Sequence, residues 1–320
     1  MTVAPPFPPS PTTSAMAPPG SLPVLERLRL AAADIKLAHS VFALPFAVLG
    51  AFLARPEGTG WGRFVGQLGL VVVCMVAART WAMLVNRLAD RTFDAANPRT
   101  QRRVLASGRM SARDAATVAG GSAAVFIAAC GLFWALFGNP WPLILSAPVL
   151  AWIAFYSFTK RFTALCHVFL GGALGASPLA AAIAVEPASL GSTTALFWLA
   201  GMVVLWVAGF DVIYALQDID FDRATELSSI PARLGWRGAI WASRIMHAGA
   251  LAMLIAAAAA EGRFGPVFYA AVGVVGLLLV TEHAVLARRG KAGLDMAFFT
   301  INGIVSCVLG AAGVVDLTLL

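Results

Sequence analysis

Asp211-Val212-Ile213-Tyr214-Ala215-Leu216-Gln217-Asp218-Ile219-Asp220-Phe221-Asp222 closes one long apolar segment of the chain. Asn86-Arg87-Leu88-Ala89-Asp90-Arg91-Thr92-Phe93-Asp94 closes another. On a helix, residues four apart lie one turn above each other on the same face. The spacing therefore predicts one polar stripe of Asn86, Asp90 and Asp94 and a second of Tyr214, Asp218 and Asp222, with Asp211 close to the second. Asp220 leaves the stripe and reads as solvent-facing. If the stripes face each other, four carboxylates point into one cavity. At an effective dielectric of ~20 and a separation of ~5 Å, each like-charge pair costs roughly 3 kcal/mol. Such repulsion shifts pKa values or pushes the helices apart. A divalent cation removes the conflict, and Mg2+ suits best: it takes oxygen ligands, keeps several waters and is commonly completed by substrate phosphates. The expected ligands are Asp90, Asp94, Asp218 and Asp222, with Asn86 beside them.

Around these stretches the chain is 59% hydrophobic and only 12% charged, too apolar for a soluble enzyme. Segments long enough for spans of ~20 residues recur nine times, near 37–54, 65–89, 114–137, 141–158, 164–185, 193–217, 238–260, 265–287 and 295–318. The expected fold is an all-α integral membrane protein, with nine transmembrane helices bundled around a central cavity that opens to the cytoplasmic side. Of the 23 Lys and Arg residues, only Arg55, Arg63 and Arg263 fall in loops of the other side. Most of the rest precede the first span (Arg27, Arg29, Lys36) or cluster in alternate loops. The positive-inside rule makes that side the cytoplasm, which puts the N-terminus and both stripes at the inner face of a bacterial-type plasma membrane. The net charge of +7 then describes loop topology and points to a lipid bilayer rather than to nucleic acid.

Residues 1–24 read as a disordered proline-rich tail, with seven prolines and no charge in the first 20. They lack the basic start and apolar core of a signal peptide. Residues 25–320 read as one transmembrane domain. The cysteines Cys74, Cys130, Cys166 and Cys307 have no metal-ligand spacing and read as packing residues.

Arg99, Arg102 and Arg103 follow the first stripe, whereas Arg109 and Arg113 read as topological anchors. Lys160 and Arg161 are different, because they sit in a compact loop, Tyr156-Ser157-Phe158-Thr159-Lys160-Arg161-Phe162-Thr163, on the aspartate side. A metal-held diphosphate still presents outer oxygens, and Lys and Arg are their usual donors. The first span carries Lys36, His39 and Ser40, and His39 is a candidate contact for an acceptor substrate. His167, His247 and His283 read as structural or interfacial. No phosphate-binding loop, nucleophile elbow or dinucleotide fingerprint is present.

These motifs resemble the UbiA superfamily of intramembrane prenyltransferases, which carries an NxxxDxxxD motif on its second span and a DxxxD motif on its sixth. Here they are matched by Asn86, Asp90 and Asp94 and by Asp218 and Asp222, with Asp211, Tyr214 and the Tyr156-x-x-x-Lys160-Arg161 loop in matching context. Four further runs resemble the branch labelled 4-hydroxybenzoate polyprenyltransferase-like. They are His39 to Phe46, Asn86 to Thr100 with its Asn97-Pro98-Arg99, Ser229 to Gly235 and Ala297 to Gly303. That branch includes menaquinone-pathway enzymes acting on a dihydroxynaphthoate. The resemblance runs from about residue 25 to 318 and implies Mg2+-dependent transfer of a polyprenyl group from polyprenyl diphosphate to an aromatic carboxylate in quinone biosynthesis. It implies catalytic roles for Asp90, Asp94, Asp218, Asp222, Lys160 and Arg161, and substrate contacts by Asn86, Tyr156, Asp211, Tyr214, Arg99 and His39. Haem, chlorophyllide, homogentisate or a sugar phosphate are the alternative acceptors. A transporter is the rival from another class, but it leaves two matched carboxylate stripes beside a basic loop unexplained.

Overall fold

The computed structural model describes residues 22–35 and 42–319, and every regular element among them is a helix. In chain order they are α1 (Val24–Ile35), α2 (Leu44–Leu53), α3 (Trp61–Ala89), α4 (Arg91–Ala96), α5 (Ala112–Phe137), α6 (Trp141–Thr159) and α7 (Cys166–Val185). After them come the single turn α8 (Ser189–Ser192), α9 (Ala195–Ala215), α10 (Ile219–Ala224), α11 (Ile230–Ala260), α12 (Pro266–Arg289) and α13 (Asn302–Leu319). Of the predicted tail, residues 1–21 lie outside the described residues, and Val24 already belongs to α1.

Eight helical runs among the described residues are long and apolar enough to cross a membrane, against the nine spans read from the sequence. The difference is the first. Only Leu44–Leu53 of it forms a described helix, and its 10 residues reach about 15 Å, half of a ~30 Å hydrocarbon core. Its Phe46, Ala47 and Leu49 are fully buried, and residues 37–41 of the predicted span lie outside the described residues. The opposite case is α3, whose 29 residues extend about 44 Å and carry Asn86 beyond the apolar layer.

The long helices alternate in direction, which gathers their termini at two ends. At one end Arg63 donates to the Phe137 carbonyl, Gln67 to Val185, Asn139 to Ile183 and Arg263 to Leu53. At the other end meet the C-termini of α3, α6 and α9 and the N-termini of α5, α7 and α11. Helix α1 is fastened there by Arg27 to Asp114 (2.8 Å) and by Asp34 to Arg87 (2.9 Å). Ser111 caps α5 by accepting from the Asp114 amide, and its hydroxyl donates to the Asp114 carboxylate, a reciprocal cap that satisfies an orphan donor.

Helix α9 is the axis of the bundle. In its apolar stretch 67% of residues are buried, against 17% in α3. It presses against α7 through Gly171 and Gly175. A Cβ on Gly171 would collide with the Val204 carbonyl, and one on Gly175 would stand 2.6 Å from Val204 Cγ2. Small residues of this kind let backbones approach within a membrane. On its other side the Trp206 indole donates to Asn302 Oδ1 (2.6 Å), and Asn302 Nδ2 donates to Glu282 Oε1 (3.1 Å). Asn302 also donates to the Ala297 carbonyl (2.8 Å), closing a π-helical turn over Met296–Ile301. That turn sets Phe298 against Tyr214, with ring centroids 4.2 Å apart.

Gly171→Ala is expected to cost about 1–3 kcal/mol, the range for overpacking a close contact, and to lower Tm in detergent. Gly120→Ala, on an open face of α5, is expected to hold or raise Tm, since alanine favours the helix. Equal melting of the two variants by circular dichroism would contradict the close packing of α7 on α9.

Candidate active site

The long segments that carry the aspartates do not continue as smooth helices. Helix α3 ends at Asp90, whose backbone turns to φ −95, ψ 9, and six residues of α4 follow. Helix α9 ends at Ala215, passes through a 3-10 turn to Asp218 at φ −107, ψ 8, and six residues of α10 follow. The uninterrupted stripes of the sequence reading are thus corrected to two helix–break–helix units of the same design. The four-residue spacing survives the break, since the Asp90 amide donates to Asn86 O (2.9 Å) and the Asp94 amide to Asp90 O (2.7 Å).

Asp90, Asp94, Asp218 and Asp222 line a single cavity of about 300 Å³ together with Asn86, Tyr156, Lys160, Arg99, Asp211 and Tyr214. His39 lies outside the described residues. Arg161 stands behind the wall and donates to Asp90 Oδ1 (3.0 Å) and to the Ala89 carbonyl (2.7 Å). Asp220 is exposed, as its place off the stripe predicts.

Each of the four carboxylates faces its own cation. Arg161 pairs with Asp90, Arg103 chelates both oxygens of Asp94 (2.8 and 2.9 Å), and Arg99 Nε reaches Asp218 Oδ1 (2.9 Å) while its Nη2 reaches Oδ2. Lys160 Nζ lies 3.7 Å from Asp222 Oδ1. Arg99 also donates to the Tyr214 hydroxyl (2.8 Å), and Asn97 donates to Asp218 (3.0 Å). Burial pushes the Asp90 carboxyl above its ordinary value, against the pull of Lys160 and Arg161. Burial works against the charge of Arg99, yet its bonds to Asp218 and Tyr214 hold the guanidinium above its ordinary value.

This one-for-one pairing changes the case for a metal. The sequence reading invoked Mg2+ to separate bare carboxylates, whereas here the carboxylates are already balanced, and the charge left to compensate is that of an incoming diphosphate. Two observations test the fit. Asp222 Oδ1 is buried and accepts no hydrogen bond, and the donor set of carboxylates and the Asn86 amide is all oxygen. Among the described residues no three His, Cys, Asp or Glu side chains converge on one point. That suits an ion held by one or two carboxylates and completed by phosphate and water. The residues fit Mg2+ on those terms.

Deeper in the cavity the chemistry changes. Arg79, seven residues before Asn86, lines the wall with Tyr156, Met83, Leu170, Leu174, Phe210 and Phe298. Its buried Nε has no hydrogen-bond partner. Asp211 accepts from His167 Nδ1 (2.7 Å), so it alone of the cavity's carboxylates pairs with an imidazole. His167, which the sequence reading took as structural or interfacial, is therefore part of the wall. Ser229 caps α11 through the Ala232 amide, and its hydroxyl donates to Asp222 Oδ2 (2.9 Å). Sequence reasoning assigned no role to Arg79, Asn97, Arg103, His167 or Ser229. Arg79 had one readable signal, a cation one helical turn pair below the first motif in an otherwise apolar span.

Residues 43–304 match the UbiA prenyltransferase family. The chain is similar to the 4-hydroxybenzoate octaprenyltransferase of Enterobacter sp. (strain 638), with 31% identity over 254 residues that cover 76% of this chain and 84% of the relative. It is also similar to the one of Aromatoleum aromaticum, with 29% identity over 243 residues, 75% of this chain and 78% of the relative. Its structure is similar to the apo form of a UbiA homologue from Aeropyrum pernix K1, with TM-score 0.76, 35% identity and coverage of 87% of this chain and 98% of that one. It shares its fold with a UbiA homologue from Archaeoglobus fulgidus bound to DMAPP and Mg2+, at TM-score 0.64, 15% identity and coverage of 91% and 99%. The family match runs from α2 into α13 and so takes in both aspartate units and the cavity between them, and this chain belongs to the UbiA prenyltransferase family.

Proposed function

We propose that the chain transfers a polyprenyl group from a polyprenyl diphosphate to an aromatic carboxylate of the 4-hydroxybenzoate or dihydroxynaphthoate kind, as a step of quinone biosynthesis. The relatives named for 4-hydroxybenzoate support this acceptor class, and the homologue bound to DMAPP and Mg2+ supports the donor. The observation that carries the acceptor reading is Arg79. A guanidinium with an unpartnered buried Nε, set among apolar and aromatic side chains, is the group an aromatic carboxylate needs beside its ring. The basic loops support a cytoplasmic face for this end of the bundle.

Asp90 and Asp94 with Asn86, and Asp218 and Asp222 opposite, are the residues that would hold Mg2+, which when bound would supply charge neutralisation for the diphosphate. Lys160, half-buried beside Asp222, donates to the departing diphosphate, and Arg161 fixes Asp90 from behind. As the allylic C–O bond breaks, its electron pair leaves with the diphosphate, so fixed donors at that oxygen lower the barrier. The ring carbon of the acceptor forms the new C–C bond, and the ring proton passes to Asp211, the cavity carboxylate that pairs with an imidazole. Phe42, Phe210 and Phe298 keep water from the allylic cation.

Incubation of the purified enzyme with a polyprenyl diphosphate and each acceptor, read by mass spectrometry, tests the reading. Prenylated benzoate or naphthoate is expected with Mg2+ and none in excess EDTA; full turnover without divalent metal would sink the mechanism. Asp222→Asn is expected to lower turnover at least ~10²-fold, while the exposed Asp220→Asn stays within a few-fold of wild type. Equal sensitivity of the two would show that the second unit is misplaced. Arg79→Met removes a charged hydrogen bond worth about 1.5–3 kcal/mol. It is expected to raise KM for the acceptor ~10- to 100-fold with diphosphate affinity retained, and an unchanged acceptor KM would remove Arg79 from the site.

A further inference from the structure

The segment Ser228-Ser229-Ile230, which opens α11, touches both halves of the cavity at once. The Ser228 amide donates to the Lys160 carbonyl (2.7 Å), and the Ser229 hydroxyl donates to Asp222 Oδ2 (2.9 Å). The Ile230 amide donates to His167 Nε2 (3.3 Å). Cys166 Sγ lies 3.6 Å from the Ser228 carbonyl. His167 and Ser229 are both 2% exposed, so these bonds have little water to replace them.

The Ile230 contact also fits one tautomer of the ring. A backbone N–H donates to Nε2, so Nε2 carries no hydrogen, and Nδ1 is the protonated nitrogen that donates to Asp211 (2.7 Å). One imidazole therefore joins the carboxylate of the inner pocket to the backbone that aims Asp222 and buttresses Lys160 at the outer end.

We infer that His167 is a positioning residue that couples the two substrate sites, so that an acceptor settling against Asp211 draws the Ser228-Ser229-Ile230 segment, and with it Asp222 and Lys160, into the arrangement that grips the diphosphate. The inference rests on the acceptor reading above. Its physical content is a coupling free energy, which is reciprocal: whatever factor the acceptor adds to diphosphate affinity, the diphosphate adds to acceptor affinity. In the reaction this coupling holds the allylic group unionised until the ring that captures it is in place.

The two ring nitrogens are separable by substitution. His167→Asn keeps an amide nitrogen near the Nδ1 position and abandons Ile230, and His167→Gln keeps an acceptor near the Nε2 position and abandons Asp211. Ser229→Ala cuts the next link, between the segment and Asp222, without touching the histidine. The experiment titrates full-length protein in detergent and Mg2+ with geranyl S-thiolodiphosphate, an unreactive donor, in the absence and presence of saturating 4-hydroxybenzoate or dihydroxynaphthoate.

The wild type is expected to bind the analogue ~10-fold more tightly with acceptor present. All three variants are expected to lose that factor, although His167→Asn and Ser229→Ala keep the acceptor's own affinity. A residue that only packed the wall would alter Tm and leave the factor intact. The same ~10-fold factor in His167→Asn, His167→Gln and Ser229→Ala would overturn the inference while the acceptor reading stood. A wild type that bound the analogue but neither acceptor would overturn the acceptor reading and this inference with it. Should the histidine variants fail to fold, Ser229→Ala decides by itself.

Discussion

Everything at the open end of this bundle depends on the pairing of acidic with basic side chains where water is scarce. Asp90 and Asp94 are each 7% exposed and Asp222 2%, and removing the partner of such a buried charge costs about 3–5 kcal/mol. Arg161, Arg103, Arg99 and Lys160 supply the partners, and they come from two loops between helices. The loop after α4 is held in place by Arg99 and Arg103, and the turn between α6 and α7 by Lys160 and Arg161. With each carboxylate facing a cation, an anion that enters the cavity brings negative charge that these pairs leave uncompensated.

The two aspartate units are copies in backbone as well as in sequence. Both break at an Asp with φ near −100 and ψ near 10, the first directly at the end of α3 and the second after a 3-10 turn, and both resume in six residues whose interior Asp is buried. That bridge conformation is sparsely populated, and it recurs at Asp90 and Asp218. The surroundings have diverged. In the first unit Asp94 is held by Arg103 from the loop that follows it; in the second, Asp218 is held by Asn97 and Arg99 from that same loop and Asp222 by Ser229 at the start of α11. The loop after the first unit thus ties the two units together across the cavity.

Much of this was legible in the sequence, and the reasons for the remainder are specific. Four-residue spacing revealed which faces carry Asn86, Asp90, Asp94, Asp218 and Asp222: helical hydrogen bonds carry the first stripe through its break, and both aspartates of the second still line the cavity. The breaks themselves left no trace, since Asp90 and Asp218 lie among good helix formers with no Gly or Pro. Alternation of basic loops gave the shared end, but an arginine in a loop looks the same whether it anchors topology or chelates a carboxylate. Arg103 and Arg109 separate only in space, one on Asp94 and the other on the Arg102 carbonyl. His167 escaped because its partner Asp211 is 44 residues away. Of the first span only Leu44–Leu53 forms a described helix, because residues 37–41 lie outside the described residues.

The buried polar residues far from the carboxylates follow the same logic of scarce water. A hydrocarbon environment leaves no solvent for Trp206, Asn302 or Glu282, so each must find a protein partner. The chain from the indole through Asn302 to Glu282 provides one. Its effect is geometric. A helix that entered α13 without the π turn would carry Phe298 to another face; with Asn302 bonded to the Ala297 carbonyl, the ring is held 5.4 Å from Phe210 and 4.2 Å from Tyr214. Tyr214 in turn receives Arg99, the cation of Asp218. The aromatic wall and the charged rim therefore share one side chain, and the π turn held by Glu282 and Asn302 reaches the charged end of the cavity through Tyr214.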